Sequence, residues 1–210
     1  MGAGILPFAI NNDEIYFLFG KENKYNDTPG WADFGGGVEP KEDILTAAIR
    51  EGWEESTGFL GDPKNIKKEI IKNNKMYLEI KNKSLNYRTY LLPMEYDEKL
   101  VEYFNKSQNC IQNNLSKDMI KKTFIFEKQE IKWFKINELK SKIHLFRKFY
   151  QEIVKEILLN EKKIKENIYM AKRSFRSRKH KKSSKKSFKH WLTNLYKPFQ
   201  TKKNRRMRGG

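Results

Sequence analysis

The stretch from Trp31 to Gly58, WADFGGGVEPKEDILTAAIREGWEESTG, restricts the fold and chemistry of this chain more than any other part of it. Gly35, Gly36 and Gly37 let the backbone turn sharply and let main-chain atoms approach a ligand without Cβ interference. A helical pattern follows: with Asp43 as N-cap, Leu45, Ala48, Ile49, Gly52 and Trp53 share one face, while Glu51, Glu54 and Glu55 share another. The three acids stand at i, i+3 and i+4 and so lie within an arc of roughly 100°. Like charges this close repel by roughly a few tenths of a kcal/mol per pair, a cost that becomes useful when a hard divalent cation sits between them. Carboxylates beside exposed glycine carbonyls make an all-oxygen Mg²⁺ site, whose other ligands would be water and substrate phosphate. The alternative is an exposed acidic helix beneath a glycine loop, since charge runs usually mark a solvated face.

The spacing resembles the Nudix hydrolases. Their box runs Gly, five residues, Glu, seven residues, Arg-Glu, an aliphatic, any residue, Glu-Glu, any residue, Gly and an aliphatic. Here Gly36, Glu42, Arg50, Glu51, Glu54 and Glu55 fall at those intervals. Two positions depart: Gly52 stands in the aliphatic place, and Thr57 stands in the glycine place, with Gly58 one residue late. The lysine- and asparagine-rich sequence is also similar to decapping-type Nudix proteins of large DNA viruses and protists.

The resemblance implies an α/β fold, an α/β/α sandwich around a mixed sheet, followed by a basic C-terminal extension. It implies hydrolysis of a phosphoanhydride with Mg²⁺ or Mn²⁺ as cofactor. Glu51, Glu54 and Glu55 become the metal ligands, helped by the Gly35 or Gly36 carbonyl, and Glu51 also orients or activates water. Arg50 and Glu42 hold the carboxylates in place, and Glu51, Glu54 and Arg50 carry the catalysis. The family also recruits an acid from outside the box; Glu127 and Glu130 precede the last strand, and Glu130 is favoured. Trp31, Phe34, Tyr87 and Tyr90 are candidates for stacking a base, although aromatic residues on strands more often belong to the core.

Element order can be followed along the chain. Strands are expected at 4–10 and 14–22 around an Asn11-Asn12-Asp13 turn, then near Trp31–Phe34, Lys75–Lys81, Tyr87–Pro93 and Glu130–Phe134. Helices are expected at Asp97–Gln112 and at about His144–Ile168, the latter with Phe149, Ile153, Ile157 and Ile164 at helical intervals. The domain is placed at 1–168 and a largely disordered basic tail at 169–210.

The charge of +18 is uneven: residues 171–210 hold 16 of the 44 Lys and Arg and none of the 26 acids, leaving 28 bases against 26 acids elsewhere. A tail containing Lys172, Arg173, Arg176, Arg178, Lys179, Lys181, Lys182, Lys185, Lys186 and Lys189, with Phe175, Phe188 and Trp191 among them, suits RNA: cations neutralise phosphates and aromatic rings stack on unpaired bases. An amphipathic stretch from Phe188 to Tyr196 offers a membrane surface or an import receptor as other partners, and a solubilising tail as the plainest reading. Cys110 is the only cysteine, so no disulfide forms within the chain, and a reducing compartment, cytoplasmic or nuclear, is expected. No signal peptide or membrane span is expected. The leading substrate is capped or 5′-phosphorylated RNA. Diphosphoinositol polyphosphates, dinucleoside polyphosphates or nucleotides are the alternative, and a non-catalytic nucleic-acid-binding protein is a third reading.

Overall fold

Alternation of apolar side chains drives the N-terminal segment into a hairpin. Strands β1 (Gly2–Asn11) and β2 (Glu14–Glu22) pair antiparallel, with Asn11 opposite Glu14. The two residues between them, Asn12 and Asp13, have φ of 49° and 59°, the conformation a right-twisted two-residue hairpin needs and one these short polar residues tolerate. The computed structural model describes residues 1–23, 26–122 and 127–180. The remaining elements, in order, are β3 (Trp31–Ala32), β4 (Phe34–Gly37), α1 (Ile44–Glu55), α2 (Pro63–Lys72), β5 (Tyr77–Lys81), β6 (Asn86–Pro93), α3 (Glu98–Asn114) and α4 (Lys117–Lys122). They continue with β7 (Lys128–Lys135), the short α5 (Leu139–Lys142) between two 3₁₀ turns, α6 (Tyr150–Leu159) and α7 (Glu161–His180).

The sheet runs β3-β2-β1-β6-β5, with β4 added on β1 and β7 on β2. It is mixed, because β1 and β6 are parallel and the other pairs are antiparallel. Period-two alternation divides each strand between two faces. Ala3, Ile5 and Ala9 of β1, Leu18 of β2 and Ile131 and Trp133 of β7 join Leu45, Ala48 and Ile49 of α1, Ile66 and Ile70 of α2 and Phe104 of α3 in one core. Phe17, Phe19 and Phe134 turn the other way, where Phe19 meets Phe146 edge-on at 4.8 Å and Phe134 at 5.6 Å, and Tyr150, Ile153 and Ile157 of α6 are buried. Each such ring or branched chain contributes roughly 1.5–3 kcal/mol by leaving water. Helices on both faces of a mixed sheet make the expected α/β/α sandwich. The chain forms two compact units, Met1–Asn167 and Ile168–Gly210. Among the described residues, no helix is long and apolar enough to cross a membrane.

Several expectations need correction. Trp53 is 44% exposed, so the apolar face of α1 is narrower than its periodicity suggests. Helix α2 lies where no element was expected, although Asp62 caps it, Pro63 opens it, and Ile66 and Ile70 bury one face. The anticipated helix at 144–168 is divided: a 3₁₀ turn ends at Leu145, α6 starts only at Tyr150, and α7 follows after Asn160. Trp31, Phe34, Tyr87 and Tyr90 are all core residues, so none presents a free face for stacking a base.

The two departures from the box have local causes. A Cβ on Gly52 would lie 2.9 Å from Ile5 Cδ1 and 3.2 Å from Ile5 Cγ1, so the glycine is where α1 settles closely onto β1. At the end of α1 the N–H of Thr57 donates to Glu54 O and that of Gly58 to Trp53 O, both at 2.9 Å, a Schellman arrangement that requires a left-handed residue at position 57. Thr57 supplies it at φ 49°, which a β-branched residue adopts only with strain. Thr57→Gly should therefore stabilise the protein by about 0.5–1 kcal/mol, and Gly52→Ile should destabilise it by about 1–3 kcal/mol through overpacking against Ile5. Urea unfolding of the two variants checks both signs.

Candidate active site

Helix α1 begins on Asp43, whose carboxylate accepts from the N–H groups of Leu45 and Thr46, both at 3.1 Å. Two turns later Arg50 gathers the charged residues of the box. Its guanidinium donates to Glu42 at 3.0 and 3.1 Å, to Glu51 at 2.9 Å, to Glu54 at 3.2 Å and to the Gly37 carbonyl at 3.1 Å. Glu42 also accepts from the Glu39 N–H at 3.2 Å. Arg50 is thus a clamp on three carboxylates, and Glu42 draws its pKa upward most strongly.

Glu51 leans into the space left by Gly36. A Cβ on Gly36 would come within 2.7 Å of the Glu51 carboxyl carbon and both its oxygens. Desolvation raises the pKa of Glu51 despite Arg50, and the charges of Glu54 and Glu127 push the same way. Glu54 remains nearly half exposed beside it.

Glu55 departs from the expected shared acidic face. It is 4% exposed and points inward, where one oxygen accepts from the Gly35 N–H at 2.6 Å and the other lies 3.2 Å from Lys128 Nζ. Lys128 is itself buried and also pairs with buried Glu22, which receives Arg147 Nη1 at 2.9 Å. Burial opposes the charge of Lys128, but Glu55 and Glu22 outweigh it and hold the ammonium above the ordinary lysine pKa. Burial pushes the Glu55 carboxyl well up, against the pull of Lys128 and with that of Glu22 and Glu127. Neither Lys128 nor Glu22 stands out in the sequence; both look like ordinary surface charges at the ends of strands.

Of the two candidate acids outside the box, Glu127 acts on the box carboxylates and the favoured Glu130 faces a surface lysine. Glu130 pairs with Lys21 at 3.5 Å, with both side chains about two-fifths exposed, whereas Glu127 acts electrostatically on Glu51 and on Glu55. The Asn23 N–H anchors the Glu127 carbonyl at 2.7 Å. Glu127 sits just before β7 starts, and Glu130 lies within it.

A divalent ion fits this donor set. Six carboxylates (Glu22, Glu42, Glu51, Glu54, Glu55 and Glu127) are gathered around three cations (Arg50, Lys128 and Arg147), so negative charge is left over at the glycine edge. All the donors are hard oxygens, and the missing Gly36 side chain lets the Glu51 carboxylate sit directly against the glycine loop. Among the described residues no three acid, histidine or cysteine side chains already converge as a ligand set.

Behind Gly35 lies a second polar group that the sequence did not reveal. Asp33 is buried, and Tyr87 donates to its Oδ1 at 2.8 Å; Asp33 Oδ2, Thr89 Oγ1 and Tyr150 OH lack partners at ordinary hydrogen-bond geometry. A Cβ at Gly4 or Gly35 would strike the Tyr87 hydroxyl at 2.4 or 2.2 Å, so the two glycines make room for this pair. Burial raises the Asp33 pKa to about 6. Its folded-state pKa lies above the unfolded one, so folding is most favoured with the acid neutral, and stability falls as pH rises from about 4 to about 6. In metal-free protein with EDTA, Asp33→Asn should therefore gain on the wild type by about 2 kcal/mol between pH 4 and pH 7, read by denaturant unfolding at each pH.

Of the basic residues proposed to bind nucleic acid, Lys172, Arg173, Arg176, Arg178 and Lys179 lie on α7, and Lys181, Lys182, Lys185, Lys186 and Lys189 lie outside the described residues. Comparison with known proteins gives a family match over residues 2–157, to the NUDIX domain. No curated protein matches at a significant level. Among solved structures, a Caenorhabditis elegans Ap4A hydrolase binary complex is similar at 19% identity and a TM-score of 0.48, covering 78% of this chain and 98% of that one. The MutT protein of Methanosarcina mazei Go1 aligns at 13% identity and a TM-score of 0.41, covering 77% and 94%. A Francisella tularensis bifunctional NMN adenylyltransferase/ADP ribose pyrophosphatase, complexed with AMP and a Mn ion, aligns at 15% and 0.46, covering 76% and 41%. With the NUDIX match spanning most of the chain and the box residues clamped around Arg50, this chain belongs to the Nudix family and is a pyrophosphohydrolase of the kind that uses divalent metal ions.

Proposed function

We propose that the enzyme hydrolyses the phosphoanhydride of capped or 5′-phosphorylated RNA, with Glu51, Glu54 and Glu55 of the box and Glu127 holding Mg²⁺ or Mn²⁺, and with the Gly35 or Gly36 carbonyl beside them. The observation that carries the chemistry is the crowding of carboxylates at the glycine edge, with Glu51 seated against Gly36. A bound divalent ion supplies neutralisation of the pyrophosphate charge and a more acidic attacking water. Within the protein, Arg50 fixes the directions of Glu51 and Glu54, and Glu55 fastens α1 to the Gly35 N–H so that helix and loop keep one spacing. Glu51, mostly shielded from solvent and held by Arg50 at the glycine edge, is the group suited to accept the proton of the attacking water.

The choice of RNA rests on the charge of residues 171–210, which carry 16 bases and no acid. Such a segment gains affinity for a polyanion by counterion release and raises the local concentration of a tethered substrate. A small-molecule substrate, such as a dinucleoside polyphosphate, a diphosphoinositol polyphosphate or a nucleotide, is the second reading. It is favoured by the position of every box residue and of Glu127 within the unit Met1–Asn167.

Deleting residues 171–210 should lower kcat/KM on long cap-labelled RNA by at least about tenfold at physiological salt and leave turnover of a free cap dinucleotide unchanged. Equal rates on every substrate after deletion would sink the RNA reading in favour of the small-molecule one. In the full-length enzyme, Glu54→Gln should reduce turnover of whichever substrate is cleaved by at least about 100-fold.

A further inference from the structure

We propose that Lys128 is a permanent cation of the metal site, which neutralises Glu55 from the buried side and thereby limits how tightly, and in what number, divalent ions bind. The inference rests on the metal reading above. Its ammonium has no exposure, lies 3.2 Å from Glu55 Oε1 and pairs on its other side with Glu22. The site is built for it: a Cβ on Gly20, near the end of β2, would lie 2.9–3.2 Å from Cδ, Cγ and Cε of Lys128, so the absent side chain is the channel for the lysine stem. A strand glycine gives up conformational entropy and packing, and here it is matched to a single neighbouring side chain.

The chemistry follows from charge and lone pairs. A lysine ammonium is a compact point charge with three donors, so it takes the role a small cation would take next to a carboxylate. Glu55 already gives one oxygen to the Gly35 N–H at 2.6 Å and the other to Lys128. A carboxylate has about four lone-pair sites, so Glu55 keeps places for a metal ion, but any ion bound there meets the ammonium across the same oxygen. Arg50 plays the corresponding part on the solvent side, where it bridges Glu51 and Glu54. The outer guanidinium is replaceable by an incoming ion, whereas the inner ammonium is enclosed and stays.

The test is Mn²⁺ titration of the full-length, substrate-free protein, followed by electron paramagnetic resonance and calorimetry. Lys128→Met keeps the length of the side chain and removes its charge; it should bind Mn²⁺ at least tenfold more tightly than wild type or take up an additional ion. Lys128→Met with Glu22→Gln removes one charge of each sign. A mere change of net charge predicts no effect in that pair, while the inference predicts the same gain. Wild-type affinity and stoichiometry in folded variants would overturn it, as would a loss of stability with metal binding unmoved. Should a variant be unfolded without metal, refolding driven by Mn²⁺ supports the inference and failure to refold overturns it. Wild-type protein that takes up no Mn²⁺ would instead bring down the metal reading itself.

Discussion

The contact on which the site depends is the one between Glu55 and the Gly35 N–H, with Lys128 behind it. Gly35 belongs to β4, which is tied to the sheet through β1, and Glu55 ends α1, which packs on the same strand. The distance between glycine loop and acidic helix is therefore fixed by a charge-assisted hydrogen bond from a buried carboxylate, stronger than a neutral one. Such a carboxylate survives burial only with a partner. Lys128 is that partner, Glu22 balances Lys128, and Arg147 balances Glu22, so four charges from α1, β7, β2 and the segment before α6 stand or fall together. Removing one member of a buried pair typically costs about 3–5 kcal/mol because the other is left uncompensated. The network contributes geometry more than net stability, since a well-packed apolar replacement of the whole set is often no less stable.

Spacing alone made the box legible, and with it the reaction class. The intervals from Gly36 to Glu55 are a property of one loop and one helix, and local structure is what sequence patterns record best. Their inward or outward aim was less legible. An arc of roughly 100° on a helix spans the edge between solvent and core, so Glu54 at one side is nearly half exposed while Glu55 at the other is buried. Trp53 makes the same point in reverse, being apolar yet exposed. The lysine that keeps Glu55 ionically paired comes from 73 positions further along the chain, and nothing in the run EKQEIK separates Lys128 from the lysines around it. Glu127 and Glu130 are equally visible in the sequence, and their different surroundings follow from where β7 starts.

The interrupted helix near the C-terminus of the domain shows a different limit. Phe149, Ile153, Ile157 and Ile164 do recur at helical intervals, but Phe146 also packs among Phe19, Phe134 and Tyr150, and Arg147 donates its N–H to Trp31 O at 3.0 Å. That main-chain contact takes Arg147 out of any continuous helix from His144 and places its guanidinium on Glu22. Tertiary contacts override periodicity where a residue is needed for the charge network.

Glycine positions record the site more faithfully than the charged residues do. Gly36 is shaped to Glu51, Gly20 to Lys128, Gly4 and Gly35 to the Tyr87 hydroxyl beside Asp33, and Gly52 to Ile5 beneath α1. None of these positions has the positive φ that usually justifies a glycine, so the reason for each is the neighbour that occupies the missing Cβ. A charged side chain on a surface strand is ambiguous, because solvent accommodates it in most directions. A glycine in regular structure loses backbone entropy and side-chain packing wherever it stands, and a close neighbour is the compensation. Pairing each glycine with the atom that excludes its Cβ leads from the legible loop to the groups that the sequence concealed, Lys128 and the Asp33–Tyr87 pair.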